Sequence, residues 1–286
     1  MHIKAITVSV FVALIMVSTL VGAAGLPDVH SGNHRGVFLN DAAMLGISSS
    51  ASLNWAGYVV TGNDVTYVTG SFVVPSVAVS SGATAHTGLP GQGHHSTSSS
   101  TTYAAFWVGI DGYSSSTVEQ AGVLMEDSGG VASYSAWYEF YPAAPVYASW
   151  SPQAGDLISV TVQYYSNGTM VATVTDITTD NSFSSPYEPA SSYQRNSAEW
   201  ITEAPSSARQ ILPLADFGKV YFGVDYTNIQ NTNYATIGGT YGSIAVLSSS
   251  FTTYSLSMVN RNGSLKAAPS SLSTDGTSFS VTWYSS

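Results

Sequence analysis

Residues 103–141 read YAAFWVGIDGYSSSTVEQAGVLMEDSGGVASYSAWYEFY, and their pattern decides the fold. Three runs, Tyr103–Ile110, Val118–Met125 and Ala132–Tyr141, are rich in Val, Ile, Tyr, Phe and Trp, with Gly, Ser and Asp between them. Many of their residues alternate with period two, as strands do, because successive Cβ atoms leave opposite faces of a pleated backbone. The same texture extends outward through Trp55–Val60, Tyr67–Val74, Leu157–Tyr165, Met170–Thr175, Lys219–Asp225, Ser243–Leu247 and Ser278–Tyr284. Turn pairs Asn167-Gly168, Asn262-Gly263 and Asp275-Gly276 punctuate it. No helical pattern of about twelve residues follows the N-terminal apolar run. The chain therefore reads as all-β, an antiparallel sandwich or barrel.

The N-terminus reads differently. Met1 to about Ala24 has the form of a secretory signal: Lys4, an apolar stretch Ala5–Val21, then the small residues Gly22-Ala23-Ala24. Secretion is expected, with a membrane anchor only if this segment stays uncleaved. Residues 25–51 lack strand periodicity and read as a pro-segment or linker, so strand structure is expected to begin near Leu53 and one β domain to span 52–286. His30, His34 and Arg35 cluster upstream of it, and loss of residues 25 to about 50 on acidification is expected. Ser80–Thr102 is low in complexity and reads as one long loop.

Only 8% of the 286 residues are charged, where soluble domains average roughly 25%. From residue 52 onward there are 15 acidic and 5 basic residues, so the net charge of −10 belongs to the β region. Hydroxyls and amides do not titrate, so this composition suits an acidic medium; it equally suits an ordinary Ser/Thr-rich secreted β protein. On the first reading, the unfolding temperature should change little between about pH 3 and pH 6. Five scattered cations cannot track phosphates, which argues against nucleic acid as a partner. The absence of cysteine leaves the core and the sheet hydrogen bonds to hold the fold.

Several chemistries are disfavoured. No G-x-S-x-G and no cysteine is present. The histidines lie in the leader, the pro-segment or the long loop, so a Ser-His-Asp triad lacks a placed base. No acidic or Cys partner at ligand spacing supports a metal at His86, His94 and His95, and no metal or cofactor is expected. Asp127-Ser128-Gly129 matches one half of an aspartic-protease pair, but that chemistry needs two carboxylates sharing a proton. A hairpin turn is the better reading.

What remains are carboxylates on strands. By parity Trp107 shares a face with Asp111, Gln120 with Val118, Gly122 and Leu124, Glu139 with Ser135 and Trp137, and Glu199 with Glu203. Polar groups beside Trp suit an aromatic-lined groove rather than a closed core. Solvent-facing strand ends explain them as readily.

Six motifs make the pattern specific: Asn54-Trp55-Ala56-Gly57, Gly70–Pro75, Phe106–Gly112, Gln120-Ala121-Gly122-Val123, Ala136–Pro142 and Ser197–Ile201. In this order they resemble the glutamic peptidases, the eqolisin family of pepstatin-insensitive acid proteases, over roughly residues 52–286. The resemblance implies a sandwich of two bent antiparallel sheets, of the concanavalin or jelly-roll kind, with a substrate cleft on a concave face. It implies a secreted, acid-acting endopeptidase, expected as a monomer, with protein or peptide substrates. Gln120 and Glu199 fall on the family's catalytic positions; Trp107, Asp111, Trp137 and Glu139 fall on residues that line or support the site. Glu199, with an ordinary pKa of about 4.3, would be ionised in mild acid and act as general base, while Gln120 would serve the oxyanion at any pH. Ser135 stands where the family usually has Asp, and the chain also lacks disulfides and carries the Ser80–Thr102 insertion. A glycoside hydrolase or lyase using Glu139 and Glu199, or a non-catalytic adhesin or carbohydrate-binding module, would share the architecture.

Overall fold

A computed structural model describes residues 39–44, 47–77, 101–207 and 210–286. The leader expected at 1–24, residues 25–38 of the expected pro-segment, residues 80–100 of the long loop and all six histidines lie outside the described residues.

In chain order the strands are β1 (Leu39–Met44), β2 (Ile47–Ser52), β3 (Trp55–Thr61), β4 (Val65–Val73), β5 (Thr102–Ile110), β6 (Val118–Asp127), β7 (Ala132–Tyr141), β8 (Val146–Tyr147), β9 (Leu157–Tyr164) and β10 (Thr169–Asp176). There follow β11 (Asn181–Ser184), β12 (Glu188–Pro189), β13 (Ser197–Glu203), β14 (Lys219–Phe222), β15 (Tyr234–Ile237), β16 (Thr240–Ser243), β17 (Thr252–Val259), β18 (Leu265–Pro269) and β19 (Phe279–Trp283). One layer runs β1-β2-β17-β3-β13-β5-β6-β7-β8. The other runs β16-β15-β4-β9-β10-β11. The two are joined at one edge through β18, β19 and β14, and the whole stays open rather than closing into a barrel. This is the antiparallel β-sandwich expected from the sequence.

Alternation explains the core. Ala56, Tyr58 and Val60 of β3, Phe106, Val108 and Ile110 of β5, and Ala121, Val123 and Met125 of β6 point inward. They meet Val68 and Phe72 of β4, Val160 of β9 and Val174 of β10. Trp200 crosses the gap, its indole N–H donating to the Thr69 carbonyl at 2.9 Å. The opposite face of the first layer is covered too, by a second apolar cluster around Trp55, Trp107 and Trp137. All seven residues of β13 are consequently buried.

Three expectations are corrected. Strand structure begins before Leu53: β2 lies parallel to β17, with Ile47 opposite Thr253 and Ser52 opposite Met258. The sequence ISSSAS carries almost no apolar periodicity, so backbone pairing to an available edge decides its conformation. Ser243–Leu247 is mostly helical, forming α2 (Ile244–Leu247) with the Ser243 hydroxyl accepting from the Val246 N–H. A short apolar run fits either period, and an N-cap serine tips it. Lys219–Asp225 stops as a strand at Phe222, because Gly223 at φ 99° turns the chain into helix α1 (Val224–Thr227).

Candidate active site

Residues directly opposite each other on antiparallel strands share a face. Following the register from β7 to β17 gives one row across the first layer: Glu139, Gln120, Gly109, Glu199, Val59, Tyr254. Gln120 and Glu199 thus stand on either side of Gly109, two strand spacings or about 10 Å apart at the backbone. Gly109 keeps the space between them clear, since a Cβ there would come within 3.1 Å of the Gln120 Cβ and 3.0 Å of the Trp107 ring. The two side chains are 1% and 0% exposed, sunk into the face rather than spread on an open surface.

The amide of Gln120 is oriented. Its Nε2 donates to Glu139 Oε2 at 2.7 Å, and a carboxylate can only accept, so the nitrogen must face Glu139. The Gln120 Oε1 is buried without a hydrogen-bond partner. One amide hydrogen and the carbonyl oxygen therefore remain to serve a reacting group.

Glu199 is buried with neither carboxyl oxygen hydrogen-bonded. Burial pushes its pKa well above the ordinary carboxylate range; the Ser197 hydroxyl opposes this and the negative field of Asp111 adds to it. That corrects the expectation of a carboxylate ionised at its ordinary pKa: the base form of Glu199 is favoured only at higher pH, because burial takes its charge out of solvent.

The next row holds Trp137, Gly122, Trp107, Ile201, Gly57 and Leu256. Glycine at 122 is obligatory, for a Cβ there would lie 2.1 Å from the Phe106 carbonyl oxygen. Trp107 packs edge-on to Trp55 with centroids 5.0 Å apart, and its N–H donates to Glu203 Oε2 at 2.8 Å. Asn54 Nδ2 donates to the other Glu203 oxygen at 3.3 Å. Trp137 is buried on the same face, in the cluster that also holds Trp107.

Asp111 departs from its expected place. Strand β5 ends at Ile110 and Asp111 takes φ 71°, so parity no longer fixes its direction. Its carboxylate accepts from the backbone N–H groups of Arg195 and Asn196, both at 2.8 Å, and its own N–H donates to the Ser197 carbonyl at 3.1 Å. Asp111 thereby clamps the start of β13, two residues before Glu199. Asp127-Ser128-Gly129 is the β6–β7 turn, with Gly130 N–H donating to Asp127 Oδ1 at 2.7 Å.

Three residues contribute here to which the sequence assigns no role. Glu203 and Asn54 hold Trp107, and parity with Glu199 was the available signal for Glu203. Glu119 is the third. It stands opposite Ile110 and Phe140, both core residues, and is wholly buried with neither oxygen bonded. Burial, then the field of Asp111, drive its pKa well above normal. A charged residue at a core-facing parity position was the signal. Among the described residues no group of three or more His, Cys, Asp or Glu side chains is placed to hold a metal ion.

The Peptidase A4 family model matches residues 53–264. Aspergillopepsin-2 of Aspergillus niger is 38% identical over 187 residues, covering 64% of this chain and 65% of that protein. Scytalidopepsin B of Scytalidium lignicola is 28% identical over 190 residues, covering 63% and 64%. The matches thus span just under two thirds of these relatives' length. The crystal structure of scytalido-glutamic peptidase with a peptide-based transition-state analogue superposes with a TM-score of 0.59 at 25% identity, covering 81% of this chain and 98% of that one.

Proposed function

The chain belongs to the Peptidase A4 family, the eqolisins, and from that premise we propose that it is a secreted endopeptidase hydrolysing proteins and peptides in acid through Gln120 and Glu199. The observation that carries this reading is the row Gln120–Gly109–Glu199: an oriented amide and a buried carboxyl flank a position without a side chain. Peptide hydrolysis needs a water made nucleophilic and a carbonyl oxygen stabilised as it gains charge. Glu199 takes the proton from a water set in the gap and returns it to the leaving amine. Gln120 donates its second amide hydrogen to the developing oxyanion, and Oε1 positions the water. Glu139 fixes the amide, Asp111 fixes the start of β13, and Trp107 and Trp137 wall the site.

The glycosidase reading fares worse. Gln120 lies between Glu139 and Glu199, and Glu139 is already engaged by the amide, so the two glutamates do not form an independent facing pair. Incubation with acid-denatured protein and with polysaccharide, at mildly acid pH and with pepstatin present, separates the readings. Proteolysis that persists in pepstatin is expected; cleavage of the polysaccharide alone would overturn the proposal.

Processing is also proposed. Strand β2 is part of the layer that carries Gln120 and Glu199, so a cut that spares β2 falls upstream of Ile47, and one that spares the whole sheet falls upstream of Leu39, rather than near residue 50. N-terminal sequencing of acid-treated, active protein should find a start before Ile47. A fully active form beginning beyond Ser52 would show that β2 is dispensable.

A further inference from the structure

Of the five basic residues after residue 52, two line one pocket beside the bend between β2 and β3. Arg261 and Lys266 share it with residues that include Leu53, Ile211, Pro213, Gln210 and Ser286, the last residue of the sequence, in a space of about 560 Å³. Lys266 is the unusual member, with only 7% of its surface exposed. It arrives there through a bulge: Met258 pairs with Ala267 and Val259 with Leu265, which leaves Lys266 as the extra residue with nothing opposite. Bulges re-aim side chains in this way. The backbone is fixed meanwhile, because the Lys266 carbonyl accepts from the N–H groups of Tyr284 and Ser285 at 2.8 and 3.3 Å.

No carboxylate among the described residues stands within ion-pairing distance of Lys266 or Arg261. A desolvated ammonium without a counter-charge is costly, and burial lowers the Lys266 pKa accordingly. In an acid medium the side chain is nonetheless charged. The fold keeps a cation in a half-apolar pocket, in a chain with hardly any cations to place.

We propose that this pocket binds an organic carboxylate with an apolar body, of the kind presented by the C-terminus of a short peptide ending in an aliphatic residue. Lys266 supplies a point charge and Arg261 a planar fork that suits a carboxylate. Leu53, Ile211 and Pro213 cover the apolar part, and Gln210 can bond to a peptide group. The site is distinct from the Gln120–Glu199 row. Leu53 precedes β3, and within that strand Trp55 lies four residues, roughly 14 Å, before Val59 of that row. On the proposed peptidase reading, the ligand class is that of a cleavage product, so the pocket would hold product at a distance from the site of chemistry.

Calorimetric titration at about pH 5 of the intact chain tests this without any proteolytic readout, so its failure would leave the peptidase reading untouched. The probes are N-acetyl-leucine, N-acetyl-leucine amide, hexanoate and inorganic phosphate. N-acetyl-leucine should bind, and the uncharged amide should bind roughly 10–100-fold more weakly, as expected for the loss of charge-assisted hydrogen bonds. Lys266→Met should weaken N-acetyl-leucine by a similar factor. Arg261→Ala, at an exposed position, guards against a Lys266 variant that fails to fold. Hexanoate equal to N-acetyl-leucine supports a carboxylate site that ignores the peptide group, whereas weaker hexanoate supports recognition of a peptide end. Phosphate binding as tight as N-acetyl-leucine, equal binding of acid and amide, or unchanged binding in both variants would overturn the proposal.

Discussion

Glu199→Gln is expected to lower kcat/KM on a protein substrate by at least about 10³, within the range that loss of a general acid–base group produces. The substitution keeps the shape of the side chain and replaces one neutral group by another wherever Glu199 is protonated, so the fold should survive. Gln120→Ala removes an oxyanion donor and should cost roughly 10²–10³ in rate. It also leaves Glu139 without its 2.7 Å amide partner, so part of that loss is positional. The wild-type pH profile carries an independent mark of the same assignment. Because burial raises the Glu199 pKa, the acid limb of kcat/KM should lie above the ordinary carboxylate value of about 4.3. Folded Glu199→Gln that retains more than about a tenth of wild-type activity would show that another group is the base.

Much of this was legible in the sequence, for a physical reason. Strand parity is rigid, so Trp107, Trp137, Glu139 and Gln120 could be placed on faces by counting, and the register of β5, β6 and β7 brings those faces together. Counting failed where the backbone stops being extended. Asp111 was assigned a face that its positive φ does not let it keep. The serine-rich strand β2 carries no readable apolar pattern because its stability comes from pairing with β17 rather than from a buried apolar face. The Ser243–Leu247 run fits either period, and the capping Ser243, which accepts a helical N–H, decides for the helix.

Burial was the quantity least visible in the sequence, and it reverses one expectation. A surface of hydroxyls and amides suggested a thermal midpoint nearly flat between pH 3 and pH 6, but the decisive carboxyls are inside. Glu119 and Glu199 both have folded pKa values pushed well above normal. Below the unfolded pKa of about 4.3 both states bind their protons, and the stability of the neutral buried forms is fully present. As pH rises past that value the unfolded chain ionises first, the native state holds extra protons, and stability is lost up to the folded pKa. Each such group contributes a slope of up to about 1.4 kcal/mol per pH unit. For a domain of this size that corresponds to about 2–4 °C per kcal/mol in Tm. Asp275, whose pKa is lowered first by the Ser273 hydroxyl, acts in the opposite sense as pH falls, but it is largely solvated and its effect is small. Thermal melts by circular dichroism between pH 3 and pH 7 read the balance, and the Glu199→Gln background keeps self-digestion out of the measurement. In that background the midpoint should still decline above about pH 4.3, driven by Glu119 beside Asp111. Adding Glu119→Gln should flatten the decline. An equally steep fall in the double variant would mean that Glu119 is not the group whose buried proton ties this fold to acid.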